Sequence, residues 1–257
     1  MGSYFSFGIN SIQSIDDTIT NMIFQPPPVN DSFVKKLYNK PNYNFKKIDG
    51  ISILEITPRL KLSNKILIFS HGNASDIFHM SSYLEELANN LGIMVVCYDY
   101  PGYGLSTGKP SENKCYDAIN IVVSYYRTIY SEAYITLVGQ SLGTGIVMHF
   151  VSTNNWTTPV ILISPYKSIT RVVYDIPVEC SFSHNTFSTL YKLDRIMCPV
   201  KIFHGKSDEL IPYTHAEYIY KKIPNKAFMP TYYDNVGHND ILNVIKVNEY
   251  QQVIDPN

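Results

Sequence analysis

Cysteine is scarce in this sequence, and the few cysteines lack the spacing of a metal site. There are four among 257 residues, and no two form a Cys-x-x-Cys pair: Cys97, Cys115, Cys180 and Cys198. A structural zinc site is therefore not expected, and we predict neither a metal nor a cofactor. A chain of this size with few cysteines and no signal peptide is predicted to be intracellular and cytoplasmic, with free thiols.

An excess of charge and long hydrophobic runs are also absent. Lysine and arginine total 21 against 22 aspartates and glutamates, which gives a formal net charge of −1. Because no basic stripe is available to neutralise phosphates, a nucleic-acid partner is not expected. No apolar run approaches the ~18 residues that a membrane-spanning helix needs. The composition is that of a globular protein, and at this length one α/β domain is the simplest prediction.

Short runs rich in β-branched residues alternate with longer amphipathic runs. Apolar runs such as KILIFS, IMVVCY and VILIS are typical of a mostly parallel sheet buried on both faces. Right-handed crossovers then place helices on both faces of the sheet. The predicted strands are Ile51–Ile56, Lys65–Ser70, Ile93–Tyr98, Tyr134–Val138, Pro159–Ile163, Val200–His204 and Ala227–Tyr233. The predicted helices are Asp76–Leu91, Ser111–Tyr130, Leu142–Thr153, Tyr213–Ile223 and Asn239–Val253.

The same patterns predict an N-terminal segment over residues 1–42 and a doubly wound α/β domain over residues 43–257. Pro165–Leu193 lacks clean periodicity and is predicted to be a short cap-like insertion. In the N-terminal segment the chain start fits the N-myristoylation pattern at Gly2, with a chance match as the alternative. Apolar residues there recur at spacings of three and four, which predicts a helix that packs on the domain or lies at a membrane surface: Phe5, Ile9, Ile12, Ile15, Ile19, Met22 and Ile23.

Two segments match the pattern Gly-x-Ser-x-Gly, at Gly139–Gly143 and at Gly104–Gly108. In the first, Ser141 follows the apolar run YITLV and precedes a run able to form a helix. A strand-to-helix turn forces such a serine into strained backbone angles, which small neighbours make possible. In the second, Ser106 lies well after its strand has ended, and Pro110 opposes an immediate helix. We therefore predict Ser141 as a nucleophile and Ser106 as part of a loop.

A serine hydroxyl needs a base, and the base needs an acid that orients it. In this kind of sheet the order along the chain is serine, acid, histidine. Asp208 follows an apolar strand and a glycine turn, and His238 follows the last predicted strand. We assign His238 as general base and then acid, and Asp208 as its orienting group. Asp234 and Asp240 would give the wrong chain order. The other histidines after Ser141 are the alternatives to His238, with packing, surface or turn-supporting roles the better prediction: His149, His184, His204 and His215.

An oxyanion hole completes this arrangement. Its first donor is predicted to be the backbone N–H of Leu142, the residue after the nucleophile. The second is predicted to be the backbone N–H of Asn73, in the loop that follows KILIFS. A tight turn in which Ser75 or Asp76 caps the next helix is compatible with this assignment.

With these residues assigned, the chain resembles the α/β-hydrolase superfamily of serine hydrolases over about residues 43–254. The segments HGNASDIFHMSSYL, DYPGYGLSTGKPSE, GQSLGTG, HGKSDELIP and GHND are most similar to the α/β-hydrolase-domain-containing 17 group. Members of that group are membrane-anchored depalmitoylases, which hydrolyse palmitoyl-cysteine thioesters on other proteins. The resemblance implies an acylated protein substrate and carries the triad to Ser141, Asp208 and His238. The group's cysteine-rich amino terminus is absent here, since the first cysteine is Cys97.

Two alternative functions stay open at this point. One is a lipase or esterase acting on monoacylglycerols or lysophospholipids, because related lipases share much of the same pattern. The other is a hydrolase fold that serves as a binding module without catalysis. Dehalogenase and epoxide hydrolase chemistry is not expected, since both need an aspartate where Ser141 stands.

Overall fold

Strands and helices alternate along most of the chain. The computed structural model of the protein describes residues 23–174 and 186–255. The strands are β1 Tyr43–Ile48, β2 Ile51–Ile56, β3 Ile66–Ser70, β4 Met94–Tyr98, β5 Ile135–Gln140, β6 Val160–Ile163, β7 Val200–Gly205 and β8 Thr231–Tyr233. The helices are α1 Asp31–Tyr38, α2 Ile77–Leu91, α3 Glu112–Arg127, α4 Leu142–Thr153, α5 Ile169–Tyr174, α6 Thr214–Lys222, α7 Ile241–Val244 and α8 Val247–Ile254. Two short 3₁₀ helices span Glu132–Tyr134 and Leu190–Arg195.

The strands form one sheet in the order β1-β2-β4-β3-β5-β6-β7-β8. β2 pairs antiparallel with β1 and with β4, and the neighbours from β4 to β8 are parallel. Parallel strands require long crossovers, which here contain the helices. The predicted α/β fold with a mostly parallel sheet is therefore confirmed, and the carboxyl ends of β3 to β8 lie at one edge of the sheet.

Side chains of the central strands point alternately into two apolar clusters, one on each face of the sheet. In β3, Ile66 and Ile68 belong to one cluster, while Leu67 and Phe69 belong to the other. Helices α3, α4 and α6 supply buried residues to the first cluster, and α1, α2 and α8 supply them to the second. This double burial explains why the central strands are apolar throughout instead of alternating with polar residues.

Polar side chains cap the first turns of the two long helices that follow β3 and β4. The side chain of Asp76 accepts a hydrogen bond from the backbone N–H of His79, and Ser111 caps α3 in the same way at Lys114. Helix α2 ends at Gly92, whose φ of 64° is left-handed. The predicted starts at positions 76 and 111 are therefore the capping residues themselves.

The structure differs from the prediction near both ends of the chain. Strand β1 and helix α1 were not predicted, because β1 is a half-exposed edge strand with few apolar residues. Strand β8 spans three residues at the end of the predicted run. The predicted helix Asn239–Val253 is wrong, since it divides into α7 and α8. Ile245 and Lys246 are extended there, with ψ of 119° and 149°.

Several predictions fall on residues that lie outside the described ranges. Gly2, most of the apolar stripe before Ile23, Cys180 and His184 are among them. Ile23, the last residue of the stripe, is buried. Within residues 23–174 and 186–255, no helix has both the length and the hydropathy to cross a bilayer.

Candidate active site

Three of the predicted site residues lie just beyond the carboxyl ends of parallel strands. Ser141 directly follows β5 and precedes α4, Asp208 follows β7, and His238 follows β8. In open α/β sheets the crevice for ligands lies at this edge, outside the strand ends. The topology therefore brings together residues that are up to 97 positions apart in sequence.

The backbone at Ser141 is held in an unusual conformation, with φ of 49° and ψ of −117°. Two glycines make the turn possible. A Cβ on Gly143 would lie 2.0 Å from the carbonyl oxygen of Ser70, and one on Gly139 would lie 2.6 Å from that of Gly143. Neither close approach leaves room for a side chain. The strained serine and the small neighbours that the sequence predicts are both present.

The side chains of Ser141, His238 and Asp208 form a hydrogen-bonded chain. The Ser141 hydroxyl donates to His238 Nε2 at 3.1 Å. On its other side, His238 Nδ1 donates to Asp208 Oδ2 at 2.7 Å. These are the distances that a nucleophile, a base and an orienting acid require. The structure brings together all three residues that the sequence singles out.

Asp208 is held by several donors. Its Oδ1 accepts hydrogen bonds from the backbone N–H of Leu210 at 3.0 Å and of Ile211 at 2.7 Å. His204 Nε2 lies 3.3 Å from Oδ2 and donates to the Ile211 carbonyl at 2.8 Å. Burial by itself raises the pKa of Asp208, but hydrogen bonds from His204 and His238 and the attraction of His238 lower this pKa well below the usual range. Asp208 is therefore an ionised carboxylate at neutral pH.

The two residues nominated for the oxyanion hole line the same cavity as Ser141. Leu142 is the first residue of α4, and a first-turn N–H has no acceptor within its own helix. Asn73 lies in the loop after β3, which Tyr100 supports through a hydrogen bond of 2.6 Å to the carbonyl of His71. Both positions fit the predicted donors. The backbone N–H assignment of Leu142 and Asn73 stays a prediction.

The cavity above Ser141 has a volume of about 360 Å³ and a mainly apolar wall. Among the described residues that line it there is no Asp, Glu, Lys or Arg, and His238 is its one ionisable group besides a tyrosine. Its apolar side chains come from distant parts of the chain: Ile23, Met80, Leu142, Tyr166, Ile169, Val172, Leu210 and Ile211. Such a wall suits an alkyl chain better than a charged group.

Comparisons with known proteins decide the family. A family model described as serine aminopeptidase, S33 matches residues 62–191. An α/β hydrolase of Acanthamoeba polyphaga mimivirus is 40% identical over 254 residues, which cover 94% of each chain. The chain belongs to the α/β-hydrolase superfamily. The human α/β-hydrolase domain-containing protein 17C is 36% identical over 181 residues, which cover 70% of this hydrolase and 54% of the relative. The match thus spans about half the length of that relative.

Solved structures agree on the fold of this hydrolase. An esterase of Pyrococcus furiosus superposes with a TM-score of 0.68 at 18% identity, over 91% of this chain and 97% of that one. The α/β-hydrolase domain-containing protein 10 of mouse gives a TM-score of 0.61 at 18% identity, over 83% of this chain and 98% of that one. At these identities the likeness concerns the fold alone.

The second serine motif of the hydrolase is part of a supporting loop. The hydroxyl of Ser106 donates to the carbonyl of Asp99 at 2.7 Å and accepts from the backbone N–H of Ser52 at 2.8 Å. Ser106 is buried, and these two bonds tie the loop after β4 to strand β2. The hydroxyl of Ser106 therefore has a structural role, which agrees with the prediction that Ser106 is part of a loop.

Other histidines and acids of the hydrolase lie in different surroundings. His215 accepts a hydrogen bond from the backbone N–H of Lys167 at 3.2 Å, and burial and the charge of Lys167 lower its pKa to about 4. His149 stacks on Tyr116, with ring centroids 3.5 Å apart. Asp234 pairs with Lys206 at the surface. These contacts account for His149, His215 and Asp234 among the alternatives to His238 and Asp208.

The side-chain contacts of Asn73 were not predicted from the sequence. Its carboxamide bonds to residues 23 and 25 and to Tyr103, up to 50 positions away. The short run His71–Ala74 predicts a turn and an oxyanion donor. No local pattern could indicate which distant segment its side chain would contact.

Replacement of Ser106 by alanine should weaken the fold and leave Ser141 in place. The change leaves the buried N–H of Ser52 without its acceptor, which should lower the free energy of unfolding by about 1–3 kcal/mol. Urea unfolding of Ser106→Ala against wild type measures this difference. Unchanged stability would contradict the structural role of this hydroxyl.

The lowered pKa of Asp208 predicts how its contribution to stability depends on pH. Above the unfolded-state pKa of about 3.9 the carboxylate is charged in both states and its folded-state bonds stabilise the protein. As the pH falls below that value, the unfolded chain takes up the proton first and the contribution is lost. The difference in unfolding free energy between wild type and Asp208→Asn should therefore shrink between pH 6 and pH 3. A difference that stays constant over this interval would contradict the assignment.

Proposed function

We propose that this protein is a serine hydrolase that cleaves acyl thioesters or esters, and that its substrates are palmitoylated proteins. The observation that carries the proposal is the hydrogen-bonded chain from Ser141 through His238 to Asp208, which opens onto an apolar cavity. In this proposal Ser141 is the nucleophile, His238 the base and then the acid, and Asp208 the group that orients His238.

The proposed reaction has two steps. In the first, Ser141 Oγ forms a bond to the acyl carbon while its proton passes to His238 Nε2, and collapse of the tetrahedral intermediate breaks the bond to the thiol sulfur. His238 returns the proton to that sulfur, and the acyl group stays on Ser141. In the second step a water molecule gives a proton to His238 and attacks the acyl-enzyme, which releases the fatty acid and restores the serine. Backbone N–H groups at Leu142 and Asn73 would bind the oxyanion in both steps.

The character of the cavity supports a fatty-acyl substrate. An aminopeptidase has to bind the ammonium group of a peptide, which calls for a buried carboxylate. No described lining residue supplies one, although the matching family model carries an aminopeptidase description. An alkyl chain, in contrast, gains free energy from apolar walls at about 0.8 kcal/mol per buried CH₂. The proposal of a protein substrate rests on the similarity to the α/β-hydrolase domain-containing 17 group.

Covalent labelling tests the nucleophile. A fluorophosphonate probe should label wild type, and Ser141→Ala should abolish labelling because, among the residues that the structure describes, no other serine is paired with His238. Ser106→Ala serves as the matched control and should label like wild type in the folded fraction. Labelling that survives in Ser141→Ala would refute the assignment of Ser141. A wild type that never labels would favour a non-catalytic hydrolase fold.

A panel of acyl donors tests the substrate class. The panel consists of an S-palmitoyl cysteine peptide, the O-palmitoyl serine peptide of the same sequence, and monopalmitoylglycerol. We expect the highest kcat/KM for the thioester peptide, and a loss on the order of 10⁴-fold in turnover for Ser141→Ala. Free fatty acid is quantified for all three donors. A preference for monopalmitoylglycerol over both peptides would instead identify a lipase.

A further inference from the structure

A short segment just before α1 forms part of the wall above the nucleophile. Ile23 and Gln25 line the cavity that contains Ser141, whereas the intervening Phe24 does not, and Ile23 and Phe24 both belong to one apolar cluster of the core. Ile23 and Phe24 are 9% and 6% exposed. The segment pairs with no strand of the sheet, so its position has to be fixed by other contacts.

The carboxamide of Asn73 holds this segment at two points. Asn73 Nδ2 donates to the carbonyl of Ile23 at 2.6 Å, and Asn73 Oδ1 accepts from the backbone N–H of Gln25 at 3.0 Å. One side chain thus bonds to the backbone on both sides of Phe24, much as a neighbouring strand would. Two such bonds fix the rotation of the segment as well as its distance from the loop after β3.

The carboxamide is itself fixed from the core. Tyr103 donates its hydroxyl to Asn73 Oδ1 at 2.5 Å, and the tyrosine side chain is fully buried. The orientation of the carboxamide follows from the backbone, because the N–H of Gln25 needs an acceptor and the carbonyl of Ile23 needs a donor, and the Tyr103 hydroxyl then donates to the same oxygen. Asn73 is therefore a rigid link between the buried Tyr103 and the cavity wall.

Phe24 anchors the segment on its other face. Its ring meets the ring of Phe187 edge-on, with centroids 5.8 Å apart, and Phe187 in turn meets Tyr116 in the same way at 5.6 Å. A ring contact of this kind tolerates sliding and rotation more readily than a pair of hydrogen bonds does. The bonds from Asn73 are thus what directs the side chain of Ile23 toward the cavity.

We propose that the Asn73 side chain is a positioning residue for the acyl chain: it holds Ile23 in the cavity wall against which the alkyl chain packs. This inference rests on the proposed acyl-hydrolase function. It is separate from the backbone N–H of Asn73, which alanine at this position would keep. The side chain sets selectivity for acyl length, while the backbone group serves the reaction at the carbonyl carbon.

The test compares long and short acyl chains on one leaving group. For wild type, Asn73→Ala and Ile23→Ala, kcat/KM is measured with p-nitrophenyl dodecanoate and p-nitrophenyl butyrate. Each variant should lower the dodecanoate-to-butyrate ratio roughly tenfold, through a higher KM for dodecanoate, since one apolar wall contact is worth about that factor. Because each ratio compares two esters on the same variant, a change in kcat that is common to both esters cancels. The double variant should show little further loss, because Asn73 acts through Ile23.

Asn42→Ala is the matched control. Asn42 also bonds through its carboxamide, to Glu85 at 3.0 Å, but it does not line the cavity, so the ratio should not change. Tyr103→Phe removes the hydroxyl that donates to Asn73 Oδ1 but keeps the two bonds from Asn73 to Ile23 and Gln25. It should therefore lower the ratio by less than Asn73→Ala does. If Asn73→Ala does not fold, the inference is tested by Ile23→Ala and Tyr103→Phe, and both should lower the dodecanoate-to-butyrate ratio.

Three outcomes would overturn the inference. An equal loss on both esters would mean that Asn73 supports the oxyanion loop and not the wall. An unchanged ratio, or additive losses in the double variant, would mean that Asn73 does not act through Ile23. Each of these leaves wild type active on both esters. Failure of the proposed function shows itself differently, as a wild type that hydrolyses neither ester and is not labelled at Ser141.

Discussion

The structure of the site depends on one backbone constraint, the left-handed turn at Ser141. The turn exists because β5 and α4 approach β3 so closely that Gly143 touches the carbonyl of Ser70. That approach has two consequences. It lifts the Ser141 hydroxyl out of the sheet edge toward His238, and it starts α4 at Leu142, whose N–H is the predicted first oxyanion donor. A larger residue at Gly143 would separate strand from helix and remove both together.

The two Gly-x-Ser-x-Gly motifs show how context assigns a role to the same residue type. The Ser106 hydroxyl donates one hydrogen bond and accepts another within the protein, so it is not available as a nucleophile. Within the described part of the chain, the Ser141 hydroxyl has one hydrogen-bond partner, the imidazole of His238. The loop that contains Ser106 nevertheless supports the site at Ser141, since Tyr100 and Tyr103 from that loop bond to His71 and Asn73 in the loop after β3. The loop of one motif therefore supports the cavity wall beside the other.

The parts of the structure that could be predicted are those with a local signal. Apolar runs placed β3 to β7 within one or two residues, and glycines around Ser141 indicated the turn. Strand β1 could not be found this way, because an edge strand alternates weakly and gains its stability from pairing with β2. The break between α7 and α8 could not be predicted, because no proline or glycine lies there. The contact of Asn73 with Ile23 joins residues 50 positions apart and depends on the finished fold.

The proposed chemistry and the proposed selectivity depend on different parts of this fold. Ser141, Asp208 and His238 sit directly after strands, where the hydrogen bonds of the sheet fix their backbone, and Asp208 is further held by four donors. The cavity wall instead comes from segments without strand pairing, including residues 23–25 and the helix after β6. The proposed reaction at an acyl carbon requires positions accurate to a fraction of an ångström, which strand ends supply. An alkyl chain needs only apolar surface, so its wall can be assembled from loops, provided that a side chain such as Asn73 holds them in place.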